Sequence, residues 1–325
     1  MFGPVSPIDL LNVYIVEAIA QSIVASLLVI PLVVFFIKSP DARVKFLLLP
    51  LVLPAVGPPV YYLLVPGRQQ LPVIPLDRIL GIKQGLSFVS QWPVFTTAFT
   101  VTFLAATLYF LSRAALAIVV ASYLPRRYSR LSHQQARRIE GILAPLLARS
   151  ESRQPILLIS PSPLLSCCAF GIRRPYLIVS RGLLEGLDDE HLEAVLAHEL
   201  AHFIRHDQYL NLVTLSIRSF LFFNPLVHLL CRAISQEQEM ACDALAIRMG
   251  QRPLVYVQSL LKVYRQRSPV PALWEPAISG FMTRSAAVRR RVTAILERGG
   301  KEEPEYRPLL FAATGFLAMA LFFIC

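Results

Sequence analysis

The residues His198-Glu199-Leu200-Ala201-His202 set two imidazoles four positions apart. On a helix that spacing is one face, so both rings can reach a single ion. Glu199 is turned about 100° from His198 and can aim its carboxylate at the open position of that ion. A carboxylate there can take a proton from an attacking water and hand it to a leaving amine, while the ion acts as Lewis acid. A catalytic zinc takes three protein ligands. Downstream, Glu237-Gln238-Glu239-Met240-Ala241-Cys242-Asp243 offers two candidates, Glu237 and Glu239. Glu239 is favoured because Asp243 follows it by four on the same face and can receive the free ring N–H of His198. The same position relative to Glu237 is Ala241, which offers nothing. The competing reading is a pair of packed or solvated histidines and a solvated acidic stretch.

The remaining histidines rank below these. His206 drifts off the face of His202, and can either donate a hydrogen bond to a developing oxyanion or lie on the surface. Asp207 can brace the helix end. His133, His191 and His228 lack ligand spacing.

The elements that must position these groups are legible around them. Leu192, Val195, Leu196, Leu200 and Phe203 recur at helical spacing, Asp188 can cap that helix, and Asp189 and Glu190 suit its positive end. Residues 132–148 have helical periodicity. Residues 156–160 and 176–180 are short, β-rich and bounded by Pro and Gly, so they read as strands. Tyr176, Leu177, Ile178 and Val179, with His206, are the candidate substrate-binding residues, if that strand is an edge offering main-chain groups to an extended peptide. It can equally be an internal strand.

The composition is 55% hydrophobic and 16% charged, and runs of about twenty apolar residues read as membrane spans. Three lie near the N-terminus, at 10–37, 46–65 and 94–124, and one at 309–324. The first precedes every Lys and Arg, unlike a cleaved signal. Glu17 and Gln21 share a face of it and read as a helix–helix contact. Lys38, Arg43 and Lys45 crowd the first connector, and Arg126, Arg127, Arg130, Arg137 and Arg138 follow the third span. That bias predicts an external N-terminus and a cytosolic segment after residue 124. The expected organisation is three transmembrane helices in 1–124, a cytosolic domain in 125–307 and a transmembrane helix in 308–325. The net charge of +11 belongs to these flanks, so no direct nucleic-acid partner is expected. Five cysteines without CxxC pairing read as reduced thiols, with Cys167 and Cys168 in packing.

The apolar run 209–234 lies between His202 and Glu239. A complete crossing would part them by about 30 Å, so the run must not span. Arg218 and the Asn224-Pro225 break favour a bent, membrane-associated segment. Residues 276–285 are a candidate self-cleavage loop, and Arg289 to Arg291 read as a solvated or lipid-facing surface.

These residues resemble a known family. The stretch FGIRRPYLIVSRGLL at 170–184, HELAHFIRHD at 198–207, Asn224-Pro225 and EMACDALA at 239–246 are similar to the BlaR/MecR-type membrane metallopeptidases. Those antirepressor or sensor-transducer peptidases are related to the HtpX-like gluzincins. The resemblance implies a mainly α membrane protein with about four transmembrane helices and a cytosolic α+β gluzincin-like domain. It implies zinc on His198, His202 and Glu239, with Glu199 as general base and Asp243 behind a ligand. It also implies a protein substrate, self-cleavage, removal of a transcriptional repressor, and a homodimer. Members that sense β-lactams carry an external penicillin-binding domain after the fourth span. This sequence shows no SxxK-type domain before Cys325, so either that domain belongs to a longer chain or a signal is expected through a separate sensor protein or the 66–93 loop. A membrane module with little general proteolysis, or a non-catalytic membrane protein, are the alternatives.

Overall fold

Helices form where the sequence is apolar throughout or along one face, and a small sheet forms where β-branched runs are bounded by Pro and Gly. The computed structural model describes residues 7–64, 93–123, 128–150, 152–171, 175–250, 252–266, 284–298 and 306–324. The expected 66–93 and 276–285 loops lie almost wholly outside them. Two compact units divide the chain, one of Met1–Ala114, Thr214–Ser235 and Pro304–Cys325, the other of Ala115–Val213 and Gln236–Glu303.

The first unit holds α1 (Pro7–Phe35), α2 (Pro40–Leu64), α3 (Pro93–Tyr123) as far as residue 114, and, late in the chain, an apolar helix at Arg307–Ile324. Its helices carry large apolar side chains on the outside, among them Leu27, Val34, Phe35, Leu104, Leu108, Phe311 and Phe316. A soluble surface rarely collects so many. Of the described residues, Glu17–Phe35 is the stretch long and apolar enough to cross a membrane, and Pro308–Leu317 is a shorter apolar helix. Gln21 is buried, and a Cβ on Gly57 of α2 would sit 3.3 Å from its Oε1, so the polar face of α1 meets α2 at a glycine.

The second unit contains a four-stranded sheet. Its strands are β1 (Ser129–Arg130), β2 (Ile156–Ser160), β3 (Cys167–Phe170) and β4 (Tyr176–Ser180), in the order β1-β2-β4-β3. β2 and β4 are parallel, and the outer pairs are antiparallel. β4 is therefore an internal strand. Both of its edges are taken, so Tyr176, Leu177, Ile178 and Val179 cannot offer their main chain to a peptide; Leu177 to Val179 are buried in the sheet instead. The edge on that side is β3, which the sequence had not marked as a strand. Helices α4 (His133–Ser150), α5 (Arg181–Gly186) and α6 (Asp189–Ile204) complete the first part of the unit. At the start of α4, Ser132 and Gln135 exchange side-chain bonds with each other's backbone N–H at 3.4 and 3.3 Å, a reciprocal cap.

The apolar run 209–234 is not one helix. α7 (Asp207–Phe220) ends before a turn, and α8 (Pro225–Gly250) starts after it. Asn224 closes the break. Its Oδ1 accepts from Leu226 N–H at 3.1 Å, and its Nδ2 donates to Ser22 Oγ at 2.8 Å. Pro225 occupies the first helical position, where a missing N–H costs nothing. The chain leaves the second unit after Val213 and rejoins it at Gln236.

Two further helices, α9 (Pro253–Gln266) and α10 (Arg284–Arg298), belong to the second unit, and the late apolar helix is α11 (Arg307–Ile324). The second unit's core gathers Ile139, Leu143 and Leu146 of α4, Leu177 and Val179 of β4, and Leu192, Leu196 and Leu200 of α6. Burying that stripe of α6 turns His198 and His202 away from the core, with Val195 on the flank between.

Ser180 ties this core to β3. Its buried hydroxyl accepts from Ser166 N–H at 3.0 Å and Leu183 N–H at 3.1 Å, and donates to Leu164 O at 2.6 Å. The neighbouring Gly182 has no room for a side chain, because a Cβ would lie 1.9 Å from Pro163 O. Gly182→Ala must displace the loop that leads into β3 and should destabilise the protein by about 1–3 kcal/mol. Gly141→Ala, on the exposed face of α4 with nothing within 4 Å, should be neutral or stabilising by about 0.5–1 kcal/mol. Unfolding midpoints of the two variants, compared in one detergent, check both signs.

Candidate metal centre

The Asp188 side chain accepts from His191 N–H at 2.9 Å and starts α6. Three turns later the helix presents His198 and His202, their ring centroids 4.9 Å apart. Glu239 approaches from α8. Its Oε2 lies 3.5 Å from His198 Nε2 and its Oε1 3.8 Å from His202 Nε2. The three residues can each offer a donor atom within 4.8 Å of the others. Glu237, the other candidate, is buried and paired with Arg290 of α10 at 2.6 Å.

Each imidazole has a carboxylate behind it. His198 Nδ1 lies 3.2 Å from Asp243 Oδ1 and 2.8 Å from the Tyr256 hydroxyl, which itself donates to Asp243 at 2.5 Å. The tyrosine proton is thereby committed, so its oxygen and Asp243 both favour keeping Nδ1–H on His198, and the proton the ring gives up to a metal is the one on Nε2. His202 Nδ1 lies 2.8 Å from Asp207 Oδ2, which fixes the same tautomer. Asp207 reaches it because α6 stops at Ile204 and His206 takes φ 58° in the turn. Left-handed backbone is uncommon for a residue other than glycine, though histidine adopts it more readily than most. Cys242 donates its thiol to the same Asp207 oxygen at 3.0 Å.

Charge is matched across this network. Burial alone would push the His198 imidazolium down, but its bonds to Asp243 and Glu239 prevail and carry its pKa up to about 10. Burial opposes ionisation of Glu239, yet the His198 bond and the charge of Arg291 hold it well below the carboxylate range. Asp243 is likewise held low against burial by Arg291 and His198. Burial and the charge of Asp207 push the Cys242 thiol up, so it remains a donor.

Arg291 departs from the sequence expectation of a solvated or lipid-facing surface. Its side chain is 16% exposed, bonds Asp243 at 2.6 and 2.7 Å, and reaches Glu239 Oε2 at 2.9 Å. Neither Arg291 nor Tyr256 carries a local signal, since each comes from a separate helix. Asp207 is visible in the sequence only as a helix-end brace. The Cys242 hydrogen bond is equally invisible there.

Glu199 Oε2 accepts the Ala169 N–H of β3 at 2.8 Å. That bond anchors one carboxylate oxygen at the edge of an open cleft of about 350 Å³. Its lining includes the apolar Leu165, Ala194, Val195, Leu260 and Val263 and the polar Glu199, Glu239, Gln208 and Asn211. Cys167 and Cys168 line it too, rather than only packing. His206 does not: it is exposed in the turn, against Tyr209, outside the lining residues. His191 is bound up with Asp188, and His228 with Phe222 O.

Two imidazole Nε2 atoms, that of His198 once its second proton is displaced, and a carboxylate, in a cleft with room for a fourth ligand, fit a divalent transition metal of borderline softness. A second group, His202, Asp207 and Cys242, also has its donor atoms close together. It fits a metal less well, because the ring N–H and a protonated thiol already satisfy Asp207.

The model of the BlaR1 peptidase M56 family matches residues 74–295. Regulatory protein BlaR1 of Bacillus licheniformis is 29% identical over 143 residues, 43% of this chain and 23% of that protein. Plastoglobule-localized metallopeptidase 48 of Arabidopsis thaliana is 27% identical over 146 residues, 41% of this chain and 42% of its own length. Protease HtpX homolog 1 of Streptomyces coelicolor is 26% identical over 169 residues, 41% of this chain and 55% of its own. The matches thus cover less than two thirds of each of these relatives.

The network predicts the pH dependence of metal uptake. With His198 protonated up to about pH 10, a metal must displace its proton. Zinc affinity should therefore rise about tenfold per pH unit between pH 6 and 8, after correction for the competing chelator. An affinity flat over that range would contradict the assignment.

Proposed function

The chain belongs to the BlaR1 peptidase M56 family, and from that premise we propose that it is a membrane zinc endopeptidase with ligands His198, His202 and Glu239 and general base Glu199. One observation carries the reading: two Nε2 atoms and the Glu239 carboxylate converge in the same cleft as an anchored Glu199. Zinc bound there supplies Lewis acidity for attack by water on a peptide carbonyl.

The residues divide the remaining work. Asp243, Tyr256 and Asp207 orient the imidazoles. Glu199, tethered through Oε2 to Ala169 N–H, takes the proton of the attacking water and returns it to the leaving nitrogen. The edge strand β3 receives the substrate. Antiparallel pairing alternates inward and outward main-chain groups, and the Ala169 N–H turned to Glu199 identifies Cys167 and Ala169 as outward. An extended peptide laid along β3 passes beside Glu199.

The external apolar side chains of α1, α3 and α11, and the Glu17–Phe35 stretch, support multi-pass membrane insertion. The basic residues after residue 124 support a cytosolic catalytic unit and an external N-terminus. A narrow, regulatory substrate set, such as a repressor or the chain itself, is the second reading, favoured by the similarity to regulatory protein BlaR1.

The purified full chain should hold about one zinc, lost in His202→Ala. Glu199→Gln should keep the zinc and lose cleavage by about 100-fold or more. Metal analysis beside a peptide-cleavage assay checks this, and a Glu199→Gln variant with full activity would end the reading. Comparing cleaved peptides from cells with wild-type and Glu199→Gln chains separates broad from single-substrate proteolysis.

A further inference from the structure

Arg291 lies on α10, apart from the helices that carry the candidate ligands, yet it bonds two carboxylates of the centre. Two of its nitrogens meet the two oxygens of Asp243 at 2.6 and 2.7 Å, and Nη1 meets Glu239 Oε2 at 2.9 Å. The planar guanidinium fits such a fork, and a lysine ammonium cannot serve both carboxylates in that geometry. Asp243 is the buried partner of His198, and Glu239 faces both Nε2 atoms. One side chain therefore sets two groups that would otherwise turn independently.

We propose that Arg291 is a positioning residue, clamping Glu239 and Asp243 in register so that Glu239 and His198 meet one metal ion, and making the docking of α10 a condition of metal affinity. The inference rests on the metal-centre reading above. A carboxylate on a flexible two-carbon stem loses rotamer freedom when it binds a metal. Arg291 imposes that restriction beforehand, through the Glu239 oxygen Oε2 that also faces His198 Nε2. It also balances the charge of Asp243, which is 2% exposed and would otherwise depend on His198 and Tyr256 alone. Partners behind metal ligands typically change affinity by about 10–100-fold.

The neighbouring Arg290 supplies the comparison. It makes an ion pair of the same length, 2.6 Å, between the same two helices, but its partner is Glu237. A role confined to holding α10 against α8 would make the two arginines equivalent.

Zinc titrations of the full detergent-solubilised chain against a competing chelator separate these cases. Arg291→Ala should weaken zinc binding about 10–100-fold. Arg291→Lys should recover part of the loss, and Arg290→Ala should stay within about threefold of wild type. Thermal unfolding of the chelator-treated proteins reports on folding independently. If Arg291→Ala fails to fold, Arg291→Met combined with Asp243→Asn removes the stranded charge, and it should still bind zinc more weakly than Asp243→Asn alone. Equal affinities in that pair, wild-type affinity in Arg291→Ala, or equal losses in Arg290→Ala and Arg291→Ala would each overturn the proposal. A wild-type chain that binds no zinc would overturn the metal-centre reading with it.

Discussion

The Nδ1 of each histidine is held by a buried carboxylate, and everything else about the site follows from that pairing. An imidazole free to rotate or change tautomer is an indifferent ligand. Here Asp207 fixes His202, and Asp243 with Tyr256 fixes His198, so both Nε2 atoms are turned on Glu239. The arrangement asks for buried anions, which are unfavourable unless paired. Arg291 answers Asp243, and the Cys242 thiol and Arg205 accompany Asp207. The centre is thus a balanced electrostatic network, in which each charge has a partner of opposite sign or a strong donor.

That network imposes a demand on the chain between its halves. His202 and Glu239 are separated by an apolar segment, and they can meet only if the segment turns back. The turn is made by Asn224, whose amide caps α8 and holds Ser22 of α1, with Pro225 opening the return helix. Polar side chains inside an apolar unit are costly unless they bond one another, so this pair marks the point where the path is decided. α8 then runs from that turn to Glu239, Cys242 and Asp243 without interruption.

Much of this is legible in residue spacing, and the limit lies where spacing stops carrying information. The α6 helix, its Asp188 cap and the strands at 156–160 and 176–180 can be read locally because periodicity and capping are local. Glu239 is distinguished from Glu237 by what stands four residues later. β3 escapes notice because CCAF is too short and too unlike a β-branched run, and its pairing with β4 depends on the loop tied down by Ser180. Which strand is the edge is a matter of topology, so the pattern at Tyr176 to Val179 leaves edge and internal positions open, and only the folded sheet puts β3 at the edge. Arg291 resembles a surface arginine between Arg290 and Val292, and only the folded chain brings it to Asp243. The exposed turn at His206 likewise depends on where α6 stops, which the helical pattern through Phe203 leaves open.

X-ray absorption at the zinc edge reads the atoms around the metal without reference to activity. Zinc held by His198, His202 and Glu239 should show a shell of nitrogen and oxygen alone, at about 2.0–2.1 Å with two imidazole signatures. A sulfur neighbour at about 2.3 Å would instead place the metal with Cys242 and Asp207, and would contradict the centre built on His198, His202 and Glu239.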